Sequence, residues 1–309
     1  MREMSIKKEI IPIFKSIAKD NIRSAKQIMK DLLSSKRGIV GFSICMMFFF
    51  MATIGPILRP IDPMLSLDLS KAYAPPSLEH PLGCDYFGRD VLAMIVTGSR
   101  EVLLIGVLAA LYTTIIALII GLTSGYLGGK VDSALMMIAD IMLTIPGFPL
   151  LLVLASTILT RAMDPFSLAA VLSITAWAGT SRAIRSQVLA VKEREFIEAA
   201  KCLGLGKFHI IFKEILPNIL GYIVVNAVLG VTGAIYAEVG LFTLGIAPYS
   251  SVNWGVMLNN AIQQAGAIHS TRYMNLLAPA FFIILLQLGL ITLAGGLDEA
   301  LNPRLKTRE

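Results

Sequence analysis

The sequence predicts an all-α protein that crosses a membrane several times. Three observations carry that expectation: 55% of the residues are hydrophobic, only 16% are charged, and the mean hydropathy is +0.72. Those values lie outside the usual range of a soluble domain of 309 residues. A bilayer leaves no water for unpaired backbone groups, so long apolar runs must form helices that satisfy their own N–H and C=O groups.

The net charge of +6 and the pI near 9.2 would suit a nucleic-acid partner if they were spread over a face. They are not spread. Residues 1–37 hold ten basic residues, from Arg2 to Arg37, against Glu3, Glu9, Asp20 and Asp31, which accounts for the whole excess. Basic residues flanking a first span signal a cytoplasmic side. Within this arm Ile6, Ile10, Ile13, Phe14 and Ile17 recur at helical spacing with lysines between them, as in an amphipathic helix on an anionic leaflet. No cleavage motif ends the apolar run that follows, so it is expected to stay as an anchor. Cys45, Cys84 and Cys202 lie far apart along the chain and suggest neither a disulfide framework nor a metal site.

The first expected span, about Gly38 to Leu58, is long enough for a core of about 30 Å. A proline-rich, more acidic segment to Gly98 is expected outside. The second span, about Val102 to Leu127, carries Gly121, Gly125 and Gly129 at intervals of four, a stripe that lets a neighbouring helix approach. A third runs from about Asp132 to Leu159, kinked at Pro146 and Pro149, with Asp140 expected as a buried carboxylate about 11 Å deep. The fourth, about Phe166 to Ile184, ends in Arg182 and Arg185. The fifth, about Ile219 to Ala247, contains Asn226 and Glu238, and the sixth covers about Leu276 to Leu297. Six spans put both termini in the cytoplasm.

Between the fourth and fifth spans lies a charged island, Glu193 to Pro217, with seven basic residues against four acidic ones in the connection from Arg182. Its pattern is Glu198-Ala199-Ala200, three residues, Gly204, then Leu216-Pro217. Gly204 and Gly206 can supply a positive φ or a tight break, Ile210, Ile211 and Ile215 suit a second short amphipathic helix, and Pro217 permits a new helix to begin. The small alanines would let another surface come close, and Glu198 offers a charge for an ion pair.

This island resembles the EAA loop of ABC importer permeases. Further stretches resemble the dipeptide, oligopeptide and nickel branch of that family: His80-Pro81-Leu82-Gly83 with Asp85 and Gly88-Arg89-Asp90, where Cys84 replaces the usual threonine; Ala234 to Gly245; Trp254 to Leu258; and Asp298, Ala300 and Asn302-Pro303-Arg304. Phe242 and Ile246-Ala247 depart from the pattern, which implies a differently shaped gate there.

The resemblance implies a type I ABC importer permease fold with six transmembrane helices. It divides the chain into an arm at 1–37, an anchor and external loop at 38–98, and a permease core at 99–309 with the coupling loop at about 190–217. The implied protein is the second, C-type permease subunit in a cell membrane, non-catalytic, moving di- or oligopeptides. Nickel chelates and oligosaccharides are the alternative cargoes.

Its implied partners are a homologous permease subunit, two cytoplasmic ATPases that hold ATP and Mg, and an extracytoplasmic solute-binding protein. No cofactor on this chain and no nucleic acid are expected. Glu198, Ala199, Ala200, Gly204, Gly206, Leu216 and Pro217 would make the ATPase contact. Asp140, Asn226 and Glu238 are candidates for path or gate, and Asp85, Arg89, Asp90 and Trp254 for the binding-protein contact. A proton-coupled transporter using Asp140 and Glu238 is the rival of a different class. An intramembrane protease is disfavoured because no G-x-S-x-G is present and His80, His209 and His269 fall in expected loops.

Overall fold

The computed structural model describes residues 26–61, 66–158, 164–246, 252–263 and 272–302. Most of the basic arm, with its Ile6 to Ile17 pattern, lies outside these residues, as do Ala247, Pro248, His269, Pro303 and Arg304. Among the described residues there is no strand, apart from an isolated bridge between Cys84 and Asp90.

Helix α1 (Lys36–Thr53) begins at Ser35, whose hydroxyl accepts the Gly38 N–H at 2.9 Å. A short helical turn, Gly55–Leu58, follows. The loop to Asp90 folds back on itself through backbone bonds from Asp68 to Phe87, Tyr73 to Asp85 and Cys84 to Ala74. Asp90 then caps α2 (Val91–Leu127) by accepting the Leu92 and Ala93 N–H groups. That cap starts the helix well before the expected Val102, so the expected border at 98/99 falls inside a helix. An Asp side chain that satisfies two orphan donors is what moves the boundary.

Gly128, at φ 67°, ends α2, and α3 (Gly129–Thr144) starts at once. The glycine stripe is therefore shorter than expected. Gly121 and Gly125 lie against Ile184 and Val188 of α5 (Pro165–Lys192), where a Cβ would come within 2.8 Å of a neighbour, whereas Gly129 faces open space. The α2–α5 pairing is the most extensive in the bundle. Glycines also set the crossing of α1 with α9 (Met274–Leu301): Gly41 meets the Leu293 backbone and Gly296 meets Gly38. Close backbone approach of this kind replaces the hydrophobic drive that lipid cannot supply.

The third expected span is two helices, α3 and α4 (Gly147–Ile158), bent by 87° at Ile145-Pro146. Pro146 lacks an N–H and disfavours helix at Ile145, which is extended at ψ 128°. Pro149 falls in the first turn of α4, where it breaks nothing.

Asp140 is not buried. Its side chain is 53% exposed and pairs with Arg182 of α5 at 3.4 Å, beside the bidentate pair of Asp132 and Arg185. A cationic partner one helix away offsets the charge of the carboxylate.

After α6 (Glu195–Cys202) the expected break before Pro217 is absent. A helical turn at Lys207–His209, which places His209 in helix, a π-helical segment at Ile210–Ile215 and α7 (Leu216–Thr243) run on as one helix of 37 residues. In an α-helical register Pro217 would clash with the carbonyl four residues back. The wider π turn, with Leu216 N–H bonded to Ile211, absorbs the proline, and Asn218 donates to the Glu214 carbonyl at 2.6 Å. The span also ends at Thr243, short of the expected Ala247. Helix α8 (Trp254–Gln263) packs on the far end of α7, and α9 completes the bundle.

Among the described residues four helices are long and apolar enough to cross a membrane, and the bent pair makes a fifth if taken as one span. Helix α5 is long enough, but Arg182, Arg185 and several Ser, Thr and Gly residues dilute it. Phe49, Phe50, Leu111, Ile119, Phe281 and Ile284 are among the large apolar side chains left outward for lipid.

The α2–α5 seam is open to test. Gly121→Leu, which drives a side chain into Ile184 and the Ser181 carbonyl, is expected to destabilise by about 1–3 kcal/mol or more. Gly179→Ala, in a helix with open space around it, is expected to gain about 0.5–1 kcal/mol. Thermal unfolding of the purified protein in detergent would read both, and equal melting points would overturn the close-packed seam.

Candidate functional site

The charged island folds as a hairpin whose inner face is apolar. Ile197 and Ala200 of α6 are buried against Ile184 and Val188 of α5 and against Ile210, Ile215 and Ile219 at the base of the long helix. Glu195 and Glu198 lie in the first turn of α6, where negative charge suits the helix dipole.

The exit is a Schellman motif. Gly204 donates to the Lys201 carbonyl at 2.9 Å, Leu205 to the Ala200 carbonyl at 3.2 Å, and Gly204 adopts φ 75°. Nothing lies within 4 Å of a Cβ added at Gly204, so the glycine is required by its dihedral and not by crowding. Gly206 takes an ordinary negative φ of −66° and starts the next helical turn, so the positive φ expected of either glycine belongs to Gly204 alone of the two.

The outward face differs from the expected one. Glu198 and Ala199 are exposed, but Ala200 is turned inward and cannot receive another surface. Helical spacing leaves open which of two adjacent alanines faces out; the apolar partners on α5 and α7 decide it. Sequence reading missed Leu203 and Phe208, which are 79% and 80% exposed on either side of the turn, with Phe212 beyond them. Their signal was present, since large apolar residues in a charged loop have no lipid to face. Leu216 is half-buried, and Pro217 is exposed at the π-to-α junction.

At the opposite end of α7 the expected contact residues turn out to be internal fastenings. Asp85 accepts the Phe87 and Arg89 N–H groups at 2.9 and 2.8 Å and pairs with the Arg89 guanidinium, which is buried over the Phe87 ring. Asp90 divides itself between the α2 cap and Arg59 at 2.8 Å. His80 Nδ1 stands 3.5 Å from the same carboxylate. Trp254 is fully buried, its Nε1 donating to the Ile95 carbonyl at 2.9 Å and its ring edge-on to Phe48. Arg89 and Trp254 are therefore not presented for a partner, because the chain itself uses up their polar groups. Cys84 is buried in this knot, where desolvation, and then the Asp90 and Asp85 carboxylates, push its thiol above the ordinary value.

The remaining candidates separate cleanly. Asn226 is half-buried and spends its amide on the Tyr222 carbonyl of its own helix at 2.9 Å. Glu238 is fully buried and accepts from Asn253 at 2.6 Å. Asp140 stands apart from both, on α3. Among the described residues no cluster of three His, Cys, Asp or Glu could hold a metal ion.

The sequence has counterparts among known proteins. The sequence is 36% identical over 294 residues to the dipeptide transport system permease protein DppC of Bacillus subtilis, covering 94% of this chain and 89% of that protein. It is 33% identical over 292 residues to the oligopeptide transport system permease protein OppC of the same organism, covering 94% and 93%. Against the OppC protein of Mycobacterium tuberculosis strain H37Rv it is 31% identical over 278 residues, covering 89% and 93%. Residues 117–307, which run from the last third of α2 past the end of α9 and include the hairpin, match the family described as binding-protein-dependent transport system inner membrane component. A multi-pass helical protein of this similarity, matched over most of its length, belongs to that family of transport permeases.

Proposed function

We propose that this chain is one of two permease subunits in an ATP-driven importer of di- or oligopeptides, and that the α6 hairpin is where it meets its ATPases. The similarity to DppC and OppC over nearly the whole chain is the observation that carries the peptide reading. In this reading a homologous permease completes the path, an extracytoplasmic binding protein delivers the peptide, and ATP and Mg reside on two cytoplasmic ATPase subunits. The chain itself supplies no catalytic group. Counting α5 as a span alongside the four apolar helices and the bent pair gives six, with both termini and the hairpin in the cytoplasm.

Glu198, Leu203 and Phe208 give the contact its chemistry. Two large apolar side chains beside one carboxylate suit an apolar pocket with a basic rim, the usual layout of an interface core and its polar edge. Closure of the ATPases on ATP would push on the hairpin, and the long helix would deliver that displacement into the membrane, exchanging inward-open for outward-open states. A proton relay through Asp140 and Glu238 finds less support, since Asp140 is exposed and paired with Arg182.

Retention of the ATPases on the purified permease pair tests the docking reading. Gly204→Val, which forces a β-branched residue to a positive φ, and Phe208→Asp are each expected to weaken retention about thirtyfold, or about 2 kcal/mol. Wild-type retention and hydrolysis in both would mean that the hairpin is not the contact. The native Cys202 offers an independent footprint, since it is exposed on the same hairpin. A maleimide should label Cys202 in the free permease and not in the ATPase-bound complex, while buried Cys84 resists in both. For the cargo, mass spectrometry of ligands carried by the purified cognate binding protein should find peptides of two to several residues; a metal chelate or an oligosaccharide there would overturn the peptide reading.

A further inference from the structure

The far end of α7 is fastened to α8 by polar bonds. Glu238 and Asn253 are both fully buried. Asn253 Nδ2 donates to Glu238 Oε1 at 2.6 Å, and its Oδ1 accepts the Gly255 N–H at 2.8 Å, so one side chain starts α8 and ties it to α7. Asn259 Nδ2 donates to the carbonyl of Thr243, the last residue of α7, at 2.8 Å. Gly255 lies so close to Phe242 and Val239 that a Cβ would come within 2.6 Å of Phe242.

Burying a carboxyl costs several kcal/mol that a leucine of similar volume would not. Glu238 Oε2 has no hydrogen-bond partner, so the cost is not offset on that oxygen. The bond to Asn253 is the use the structure makes of this residue. The continuous helix from Lys207 to Thr243, about 55 Å long at about 1.5 Å per residue, joins this fastening to the α6 hairpin.

We infer that Glu238 and Asn253 are positioning residues for transport, whose bond makes α8 move with α7 as one body, so that displacement of the α6 hairpin arrives at α8 on the opposite end of the bundle. This rests on the reading of the hairpin as the ATPase contact. Glu238 acts here through its acceptor oxygen, and its charge is not required.

The test uses the assembled transporter in nanodiscs, with Cys45, Cys84 and Cys202 replaced by alanine. Spin labels are attached through Tyr236→Cys on α7 and Ile262→Cys on α8, both exposed positions. The distance between them should stay the same within about 2 Å with and without ATP, in the unaltered pair and in Glu238→Gln, which keeps the acceptor. In Glu238→Leu and Asn253→Ala the distance should shift or broaden on adding ATP. In those two variants, stimulation of ATP hydrolysis by the binding protein, carrying the ligands it co-purifies with, should fall about fivefold or more.

An ATP-dependent change in the unaltered pair would overturn the inference, as would unaltered distance and stimulation in both Glu238→Leu and Asn253→Ala. Glu238→Gln behaving like Glu238→Leu would also overturn it, by showing that charge is needed. Should Glu238→Leu fail to assemble, Asn253→Ala, which leaves α7 untouched, decides together with the unaltered pair. A rigid α7–α8 pair whose hydrolysis is indifferent to Gly204→Val would sink the docking reading alone.

Discussion

The continuity of the helix across Pro217 is the constraint on which the rest of the structure depends. A proline at that position in an α-helical register would bend or break the helix and leave the hairpin as a loosely hinged loop. The π-helical segment at Ile210–Ile215 changes the register by one residue just before the proline, and the helix runs on. The base of α6 and the seat of α8 therefore lie on one continuous helix. The apolar cluster of Ile197, Ala200, Ile210, Ile215 and Ile219 then fixes the hairpin against that helix.

Around this helix, two kinds of contact share the work. Close backbone approach at Gly121, Gly125, Gly41 and Gly296 brings helices together where lipid provides no hydrophobic drive. Polar fastenings appear where a helix begins or where a loop must be held: Ser35 and Asp90 as caps, Asp85 with Arg89, Arg59 with Asp90, and Asn253 with Glu238. The ion pairs on α3 and α5 fasten the bent helix pair, which otherwise makes little buried contact with the bundle.

Several expectations failed for one physical reason, which is that a side chain's partner lies on another helix. Asp140 was expected to be buried because of its depth along the span, and it lies exposed and paired with Arg182 instead. Trp254 carries an indole suited to recognition, yet the Ile95 carbonyl of α2 satisfies it. Ala199 and Ala200 are equivalent in sequence, but α5 and the base of α7 cover one and leave the other.

The sequence by itself determined the membrane class, the approximate place of most helices, the turn at Gly204 and the family, because hydropathy, glycine at a positive φ and spaced motifs are local properties of the chain. Tertiary structure decided which face of α6 is free, that Asp140 meets Arg182, and that Glu238 meets Asn253. Those outcomes depend on register and on groups distant in sequence, and a local pattern holds no information about which buried polar atom will find which partner.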